Sequence, residues 1–181
     1  SEGIYTEKRS KFIAIALPVR TLDEIKMHLE TYQKKYYDAR HVCYAYMLGA
    51  ARKDFRANDN GEPSGTAGKP ILGQIISNEL TDILIIVVRY FGGIKLGAGG
   101  LIRAYSGSVA HAIEEIGRVE VKELTGLTVE LTYSQYQVFS NFLEKKRLQE
   151  FDTTFLSDVS TTLFVEESEI ERLGQELTEF Y

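Results

Sequence analysis

Two glycine-rich stretches constrain this chain more than any other feature. The first is residues 59–70, DNGEPSGTAGKP, and the second is residues 89–100, RYFGGIKLGAGG. Eleven of the 15 glycines lie between Gly49 and Gly107. Because glycine loses more backbone entropy on folding than any other residue, this density indicates backbone that needs positive φ angles or the close approach of another group.

The second stretch has the layout of an anion-binding loop. It follows the aliphatic run 83–88, which predicts a central strand covered on both faces, and it precedes a helix that we expect to begin near Gly99. Free N–H groups at such a helix start suit a phosphate. The alternative is a tight turn that only lets the helix pack on the sheet. The dinucleotide fingerprint fails because Ile102 occupies its third glycine position, and a Walker A loop fails at Pro63 and Pro70.

Side chains beside the glycines leave further alternatives open. Arg89 with Tyr90 and Phe91 could contact phosphate and stack bases, or the rings could be core and the arginine paired with a carboxylate. Asp59 and Glu62 could bind a cation or act as a base, or they could close a structured loop.

Histidines and serines offer little support for catalysis. His28, His41 and His111 have no metal-ligand spacing, so a zinc site is not expected, although His41 could reach the glycine loops. A Ser64, His41 and Asp59 triad can be written down, but no nucleophile-elbow pattern supports it. The sequence therefore predicts no catalytic residue, no metal and no cofactor.

The N-terminal part of the chain predicts an α+β domain. We expect strands at 11–17, 41–48 and 83–88, and a long loop from Gly49 to Gly68. Capping signals predict helices after Thr21, near Lys69-Pro70 and near Gly99, with Gly117 ending the last one.

The C-terminal part predicts a second, smaller domain. Residues 127–133 alternate as a strand, and Ser134 with Gln137 forms a capping-box pattern. Strands near 149–156 and 160–166 and a helix capped by Ser168 complete a β-α-β-β-α order. This is a ferredoxin-like unit without its last strand, so either the chain is truncated or the unit is open on one edge. We predict domains at 1–121 and 122–181.

Composition and charge separate these two parts. The chain has 181 residues, 44% of them hydrophobic, a net charge of -5, a single cysteine (Cys43), and no apolar run of membrane-span length. Residues 1–121 contain 16 Lys and Arg against 14 Asp and Glu, whereas residues 122–181 contain 5 against 12. We expect a cytoplasmic protein without a membrane partner, in which the N-terminal part is the one compatible with an anionic partner.

Both glycine stretches resemble the signature blocks of the IMPACT/YigZ family. The resemblance extends to SKFI at 10–13, DARHVCYAY at 38–46 and GGLIRAYS at 99–106, and it spans about residues 4–117. The last 60 residues resemble the extra domain of bacterial members more weakly. One departure is Asn60, where the family usually has a second aspartate; its Asn-Gly pair should keep the shape of the loop.

The resemblance implies a fold and a biological setting. The N-terminal domain would be similar to the second domain of a small-subunit ribosomal protein, a fold also found in elongation factor G and in small-molecule kinases. The C-terminal domain would be similar to another domain of elongation factor G. Eukaryotic relatives act in translational control by competing for an activator of an amino-acid-starvation kinase. Fold alone does not establish function.

Two hypotheses about function follow. The first is a non-catalytic binding or regulatory protein of translation that contacts RNA, the ribosome or a protein factor. The alternative is an enzyme or binder of a phosphorylated small molecule or nucleotide. The oligomeric state stays open. The candidate ligand-binding residues are His41, Asp59, Gly61, Glu62, Gly65, Thr66, Gly68, Lys69, Arg89, Tyr90, Phe91, Gly92, Gly93, Lys95, Gly97, Gly99, Gly100 and Arg103.

Overall fold

A computed structural model describes residues 2–180 and divides the chain into two compact units. Unit 1 extends to Val119 and unit 2 begins at Glu120. Each unit has its own sheet, its own helices and its own hydrophobic core. The expected α+β fold with two domains is confirmed. No helix among the described residues is both long and apolar enough to cross a membrane.

Unit 1 is built on a five-stranded antiparallel sheet in the order β1-β2-β5-β3-β4. The elements are β1 (Glu2–Glu7), β2 (Ser10–Pro18), α1 (Leu22–Lys35), β3 (His41–Leu48), β4 (Asp54–Asn58), α2 (Gly68–Ser77), β5 (Ile83–Tyr90) and α3 (Gly97–Ile116). The aliphatic strand β5 lies in the middle, and its residues 84–88 are almost fully buried. The prediction of a central strand covered on both faces is confirmed.

Helices cover both faces of this sheet because its strands alternate two apolar sets. Helices α2 and α3 pack on the face that includes Phe12, Cys43 and Val87. Helix α1 packs through Ile25 on the face that includes Ile86. Thr21 caps α1 by accepting the N–H of Glu24, whose own carboxylate accepts the N–H of Arg20.

Two edge strands were missing from the sequence interpretation. The segment 49–68, expected to be a loop throughout, contains β4, and β1 precedes the first predicted strand. Both are edge strands with mixed or exposed burial, so neither shows the apolar alternation that identifies β2 and β3. Pairing with a buried neighbour stabilises them, and single-segment propensity does not report that pairing.

Unit 2 has the predicted β-α-β-β-α order. Its elements are β6 (Thr125–Leu131), α4 (Tyr133–Lys146), β7 (Glu150–Phe155), β8 (Val159–Val165) and α5 (Glu167–Phe180). The antiparallel sheet has the order β6-β8-β7, with the third strand in the middle as in a ferredoxin-like unit. Its core contains Phe139, Phe142 and Leu173 from the helices and Leu131 and Leu163 from the strands.

The start of α4 corrects the sequence reading. A full capping box forms at Thr132 and Gln135, two residues before the predicted pair Ser134 and Gln137. The Thr132 side chain accepts the N–H of Gln135, whose side chain accepts the N–H of Thr132. Two overlapping polar pairs had the same spacing, and sequence spacing alone does not distinguish them.

Candidate functional site

Both glycine stretches lie at the same end of the unit 1 sheet. In the antiparallel registers, Arg89 at the end of β5 is opposite His41 at the start of β3 and opposite Phe12 near the start of β2. The first stretch follows β4, which ends beside β3 at the same sheet end. The second stretch continues directly from β5 into α3. Antiparallel pairing thus places two segments that are distant in sequence side by side.

The Asp59 carboxylate stabilises the first stretch through hydrogen bonds to its backbone. Its carboxylate accepts the backbone N–H groups of Gly65, Ala67 and Gly68 at 2.8–3.0 Å, which includes the start of α2. Burial raises the pKa of Asp59, but these three N–H donors outweigh it, so the net pKa is lowered. The carboxylate therefore occupies the N–H groups that an incoming anion would otherwise use.

Backbone geometry explains why glycine occurs at three positions of the first stretch. Gly61 and Gly65 have φ angles of 82° and 76°, which favour glycine. A Cβ on Gly68 would lie 2.6 Å from the backbone nitrogen of Asn58, so the helix start and the end of β4 meet at van der Waals contact. The amide of Asn60 donates to the carbonyl of Val42 at 3.0 Å, a bond that an aspartate could not make.

Glu62 is the buried link between the two stretches. Its Oε1 accepts from Arg89 at 2.6 Å and from the hydroxyl of Tyr105 at 2.8 Å, and the Glu62 side chain is only 3% exposed. The guanidinium of Arg89 also lies 5.7 Å from the ring centroids of Phe12 and Phe91. The first loop, β5 and α3 are therefore joined through a paired buried charge.

Cys43 and His41 extend this network without forming a catalytic pair. The Cys43 thiol donates to the carbonyl of Asp59 at 2.9 Å, and burial raises its pKa to about 12, so it stays a protonated, inert thiol. His41 donates from Nδ1 to the carbonyl of Asn60 at 2.9 Å, and its Nε2 lies 3.9 Å from Glu62. Because His41 and Asp59 have other partners, the Ser64, His41 and Asp59 triad is not formed.

Part of the second stretch packs against the β1–β2 turn, and the rest of it is exposed to solvent. A Cβ on Gly92 would lie 2.0 Å from the backbone carbon of Arg9, so Gly92 packs directly on the β1–β2 turn. Gly93 and Gly97 have φ angles of 86° and 72° with no atom within 4 Å of a Cβ position. Helix α3 begins without a side-chain cap, and Gly97 and Gly99 are exposed.

Exposed cations surround this open stretch. Lys95 lies within it, and the guanidinium of Arg103 folds back to 3.4 Å from the Cβ position of Gly99, over the first turn of α3. Lys8 and Arg9 form the β1–β2 turn, on which Gly92 packs. Among the described residues, none of these four cations forms an ion pair. We call Lys8, Arg9, Phe91, Lys95 and Arg103 the basic face.

The candidate residues separate into an internal and an exposed set. Those with internal partners or tight packing are His41, Asp59, Gly61, Glu62, Gly65, Thr66, Gly68, Arg89, Gly92 and Gly100. Tyr90 is half-buried and its hydroxyl donates to Asp38 at 2.8 Å. Phe91, Gly93, Lys95, Gly97, Gly99 and Arg103 are exposed at the second stretch, and Lys69 is exposed at the first.

Asp59, Glu62, Arg89 and Lys95 do not converge on one cleft. Glu62 and Arg89 pair directly, and the half-buried Asp59 is connected to them only through its carbonyl, Cys43 and Tyr105. Lys95 is exposed outside this network. Sequence reasoning missed Lys8 and Arg9, which are distant in sequence from the glycines. Their signal is the KRSK run at 8–11 immediately before a predicted strand.

The exposed groups of the second stretch are of the kinds that suit an anion. The basic face combines free cations, an uncapped helix start and a ring, Phe91, that is 50% exposed. Among residues 2–180, no three His, Cys, Asp or Glu side chains lie close enough together to hold a metal ion. Both carboxylates suggested as a base have internal donors instead.

Similar proteins match both units. A family model described as the Impact N-terminal domain matches residues 8–113, and one described as a domain of unknown function (DUF1949) matches residues 129–181. A solved structure described as the crystal structure of an hypothetical protein has a TM-score of 0.68 and 29% identity. The match covers 99% of this chain and 88% of that one.

Named relatives come from bacteria and eukaryotes. IMPACT family member YvyE of Bacillus subtilis is 37% identical over 95% of this chain and 79% of its own length. IMPACT family member YigZ of Escherichia coli is 38% identical over 71% of this chain and 64% of its own length. Protein IMPACT homolog of Dictyostelium discoideum is 38% identical over 51% of this chain and 27% of its own length. With a family model over more than half its length and these relatives, the chain belongs to the IMPACT family.

Proposed function

We propose that this protein is a non-catalytic regulator of translation that binds RNA through the basic face of unit 1. The translational setting is inferred from the family, whose resemblance implies translational control for its eukaryotic members. The choice of RNA is inferred from the chemistry of the face. The ribosome is the source of RNA that fits this setting best. We place this activity in the cytoplasm.

One observation supports RNA most strongly, namely the four exposed cations without a carboxylate partner. Lys8, Arg9, Lys95 and Arg103 lie beside one glycine stretch and form no ion pair among the described residues. Such cations bind phosphate without first breaking an ion pair, and they release counterions on binding. A face of this kind is suited to a polyanion.

Phe91 supports a single-stranded segment of RNA over a duplex. Its ring is half-exposed at the end of β5 and has the buried Arg89 guanidinium on one side. An exposed ring beside cations can stack an unpaired base, which contributes about 1–3 kcal/mol. Glycines 93, 97 and 99 leave the adjoining backbone N–H groups accessible to phosphate.

The enzyme alternative has less support. The two carboxylates suggested as base or metal ligand for a phosphoryl or hydrolytic reaction are Asp59 and Glu62. Asp59 accepts three backbone N–H groups, and Glu62 is buried against Arg89 and Tyr105. Neither side chain is available to a substrate without breaking the loop that it supports.

Salt dependence of RNA binding tests the proposal. We expect the full chain to bind a labelled single-stranded RNA, with log K falling linearly as log salt rises and a slope of about −0.7 per phosphate contact. Lys95→Ala and Arg103→Ala should each weaken binding and reduce the slope by about 0.7. Lys26→Ala removes an exposed cation of α1, on the other side of the sheet. It should leave the RNA affinity and the salt slope unchanged.

Three outcomes would overturn the proposal. They are undetectable RNA binding, binding that is insensitive to salt, and equal losses in the Lys26 and Lys95 variants. A rise in melting temperature with a nucleotide or sugar phosphate, abolished by Arg103→Ala, would favour the phosphorylated small molecule instead.

A further inference from the structure

The sheet of unit 2 leaves one face open. Helices α4 and α5 pack on the face that includes Leu131, Leu163 and Val165. Side chains along each strand alternate between the two faces, so the opposite face displays a second set of side chains. The strand registers align these side chains in rows across the three strands. We call this set the aromatic face, and it consists of Gly126, Thr128, Glu130, Phe151, Thr154, Ser160, Thr162 and Phe164.

Two phenylalanines dominate this face. Phe151 and Phe164 are 42% and 43% exposed, and their rings meet edge to face with centroids 5.2 Å apart. Gly126 lies opposite Phe164, and a Cβ there would be 3.6 Å from the Phe164 ring. An exposed aromatic pair on a flat sheet costs hydration free energy unless a partner covers it.

The other side chains of the face are mostly hydroxyls. Thr162 lies between Thr128 and Phe151, and Ser160 lies between Glu130 and Thr154. Hydroxyl oxygens accept hydrogen bonds readily from a cationic donor. Glu130 is the charged member of the set, and it is exposed on the edge strand β6.

Charge selects among the possible occupants. Glu130 is on the aromatic face, Asp152 is exposed on β7, and the three strands contain no Lys, Arg or His. Glu150 faces the helices, where it accepts the hydroxyl of Tyr136. Exposed rings on such a sheet would suit nucleobases, yet without cations the phosphates would be repelled. A second copy of the same face would bring like carboxylates together. Only a cationic partner gains from both the rings and the Glu130 carboxylate.

We propose that the aromatic face binds an arginine-rich protein segment. Arginine guanidinium groups would lie over the rings of Phe151 and Phe164, donate to the hydroxyls of Thr128 and Thr162, and pair with Glu130. Arginine suits this site better than lysine because its planar group stacks on rings while its five N–H groups still donate. This surface belongs to unit 2 and is independent of the function proposed for unit 1.

Binding of an arginine–glycine repeat peptide to the full chain tests this inference. Fluorescence anisotropy at moderate salt should show saturable binding, weaker for the lysine–glycine counterpart. Phe151→Ala and Phe164→Ala should each weaken binding about 2- to 5-fold, as expected for the loss of one exposed cation–π contact. Phe155→Ala should not weaken binding, because Phe155, although 53% exposed on β7, is on the opposite face and contacts Tyr133 and Tyr136 of α4.

A charge-matched pair of variants separates the face from the general acidity of unit 2. Glu130→Gln should weaken peptide binding, whereas Glu171→Gln, which removes an exposed carboxylate of α5, should leave it nearly unchanged. Circular dichroism of each variant verifies that it is folded. Binding that is unaffected by the Phe151 and Phe164 variants, or equally reduced by Glu171→Gln, would overturn the inference. So would no binding by the wild type, RNA binding lost in the Phe variants, or self-association lost in them.

Discussion

At the scale of single residues, glycines in this chain differ sharply in what they do. Gly92 faces the backbone of Arg9 so closely that a Cβ would lie 2.0 Å from a carbonyl carbon. Gly73, in α2, has no atom within 4 Å of its Cβ position and a φ that any residue adopts. Glycine density in the sequence indicated special backbone, but only coordinates separate the two cases.

Substitution by alanine should therefore have opposite effects at these two positions. Gly92→Ala must displace the β1–β2 turn and should lower the free energy of unfolding by about 1–3 kcal/mol or more. Gly73→Ala reduces the chain entropy of the unfolded state and should raise the free energy of unfolding by about 0.5–1 kcal/mol. Urea unfolding of both variants gives these values. A Gly92→Ala protein as stable as the wild type would contradict the packing described.

Asp59 supports the loop around it, whereas one hypothesis from the sequence was that its carboxylate binds a cation or acts as a base. It accepts three backbone N–H groups, so its ionised form is bound by the fold. Because its folded-state pKa is lowered, its contribution to stability is complete above the unfolded pKa of about 3.9. The contribution is lost as the pH falls through the still lower folded-state pKa.

Asp59→Asn should expose this pH dependence. At neutral pH we expect the variant to be less stable than the wild type by about 1–3 kcal/mol, since a charged acceptor is replaced by a neutral one. The difference should stay constant from about pH 6 to about pH 5 and shrink as the pH falls below about 4. Chemical unfolding measured across this range provides the test. A difference that does not change with pH would show that the charge of Asp59 is not what the loop uses.

At the scale of elements, Glu62 joins three pieces that are distant in sequence. It belongs to the first loop, Arg89 to β5 and Tyr105 to α3. The alternative in which Arg89 pairs with a carboxylate is the one that the geometry supports, and its neighbour Phe91 stays exposed. In that alternative Phe91 was expected in the core, whereas the structure leaves its ring 50% exposed.

A double-mutant cycle on Glu62 and Arg89 measures this link. Each single variant, Glu62→Gln and Arg89→Met, should lower the free energy of unfolding by about 3–5 kcal/mol because it leaves a buried charge without its partner. The double variant should cost less than the sum of the two. Equilibrium unfolding with a check of m-values gives the coupling. Additive losses would mean that the two charges are not coupled in the folded protein.

Strongly patterned elements were predictable from the sequence, and weakly patterned ones were not. Strand β3 and the ten-residue helix α2 were predicted within a residue or two, because apolar periodicity and Pro70 mark them. Strands β1 and β4 were missed because edge strands bury little of their own surface. The cap of α4 was misplaced because competing Thr, Ser and Gln residues share one spacing.

At the scale of the whole molecule, charge and glycine content describe two units with different surfaces. Unit 1 places exposed cations around a glycine-rich loop, and unit 2 places a carboxylate and two rings on an open sheet face. The sequence identified the charge asymmetry and the second glycine stretch. It did not identify Lys8 and Arg9, because only the antiparallel pairing of β2 with β5 brings their turn there.

Chemical-shift mapping with RNA tests the central claim most directly. Isotope-labelled full chain would be titrated with a short single-stranded RNA at low salt, and backbone amide shifts would be followed. We predict the largest changes at residues 92–100 and 8–11, with small changes along β6, β7 and β8. Changes confined to the unit 2 strands or to α1, or no changes at all, would contradict the assignment of RNA binding to the basic face.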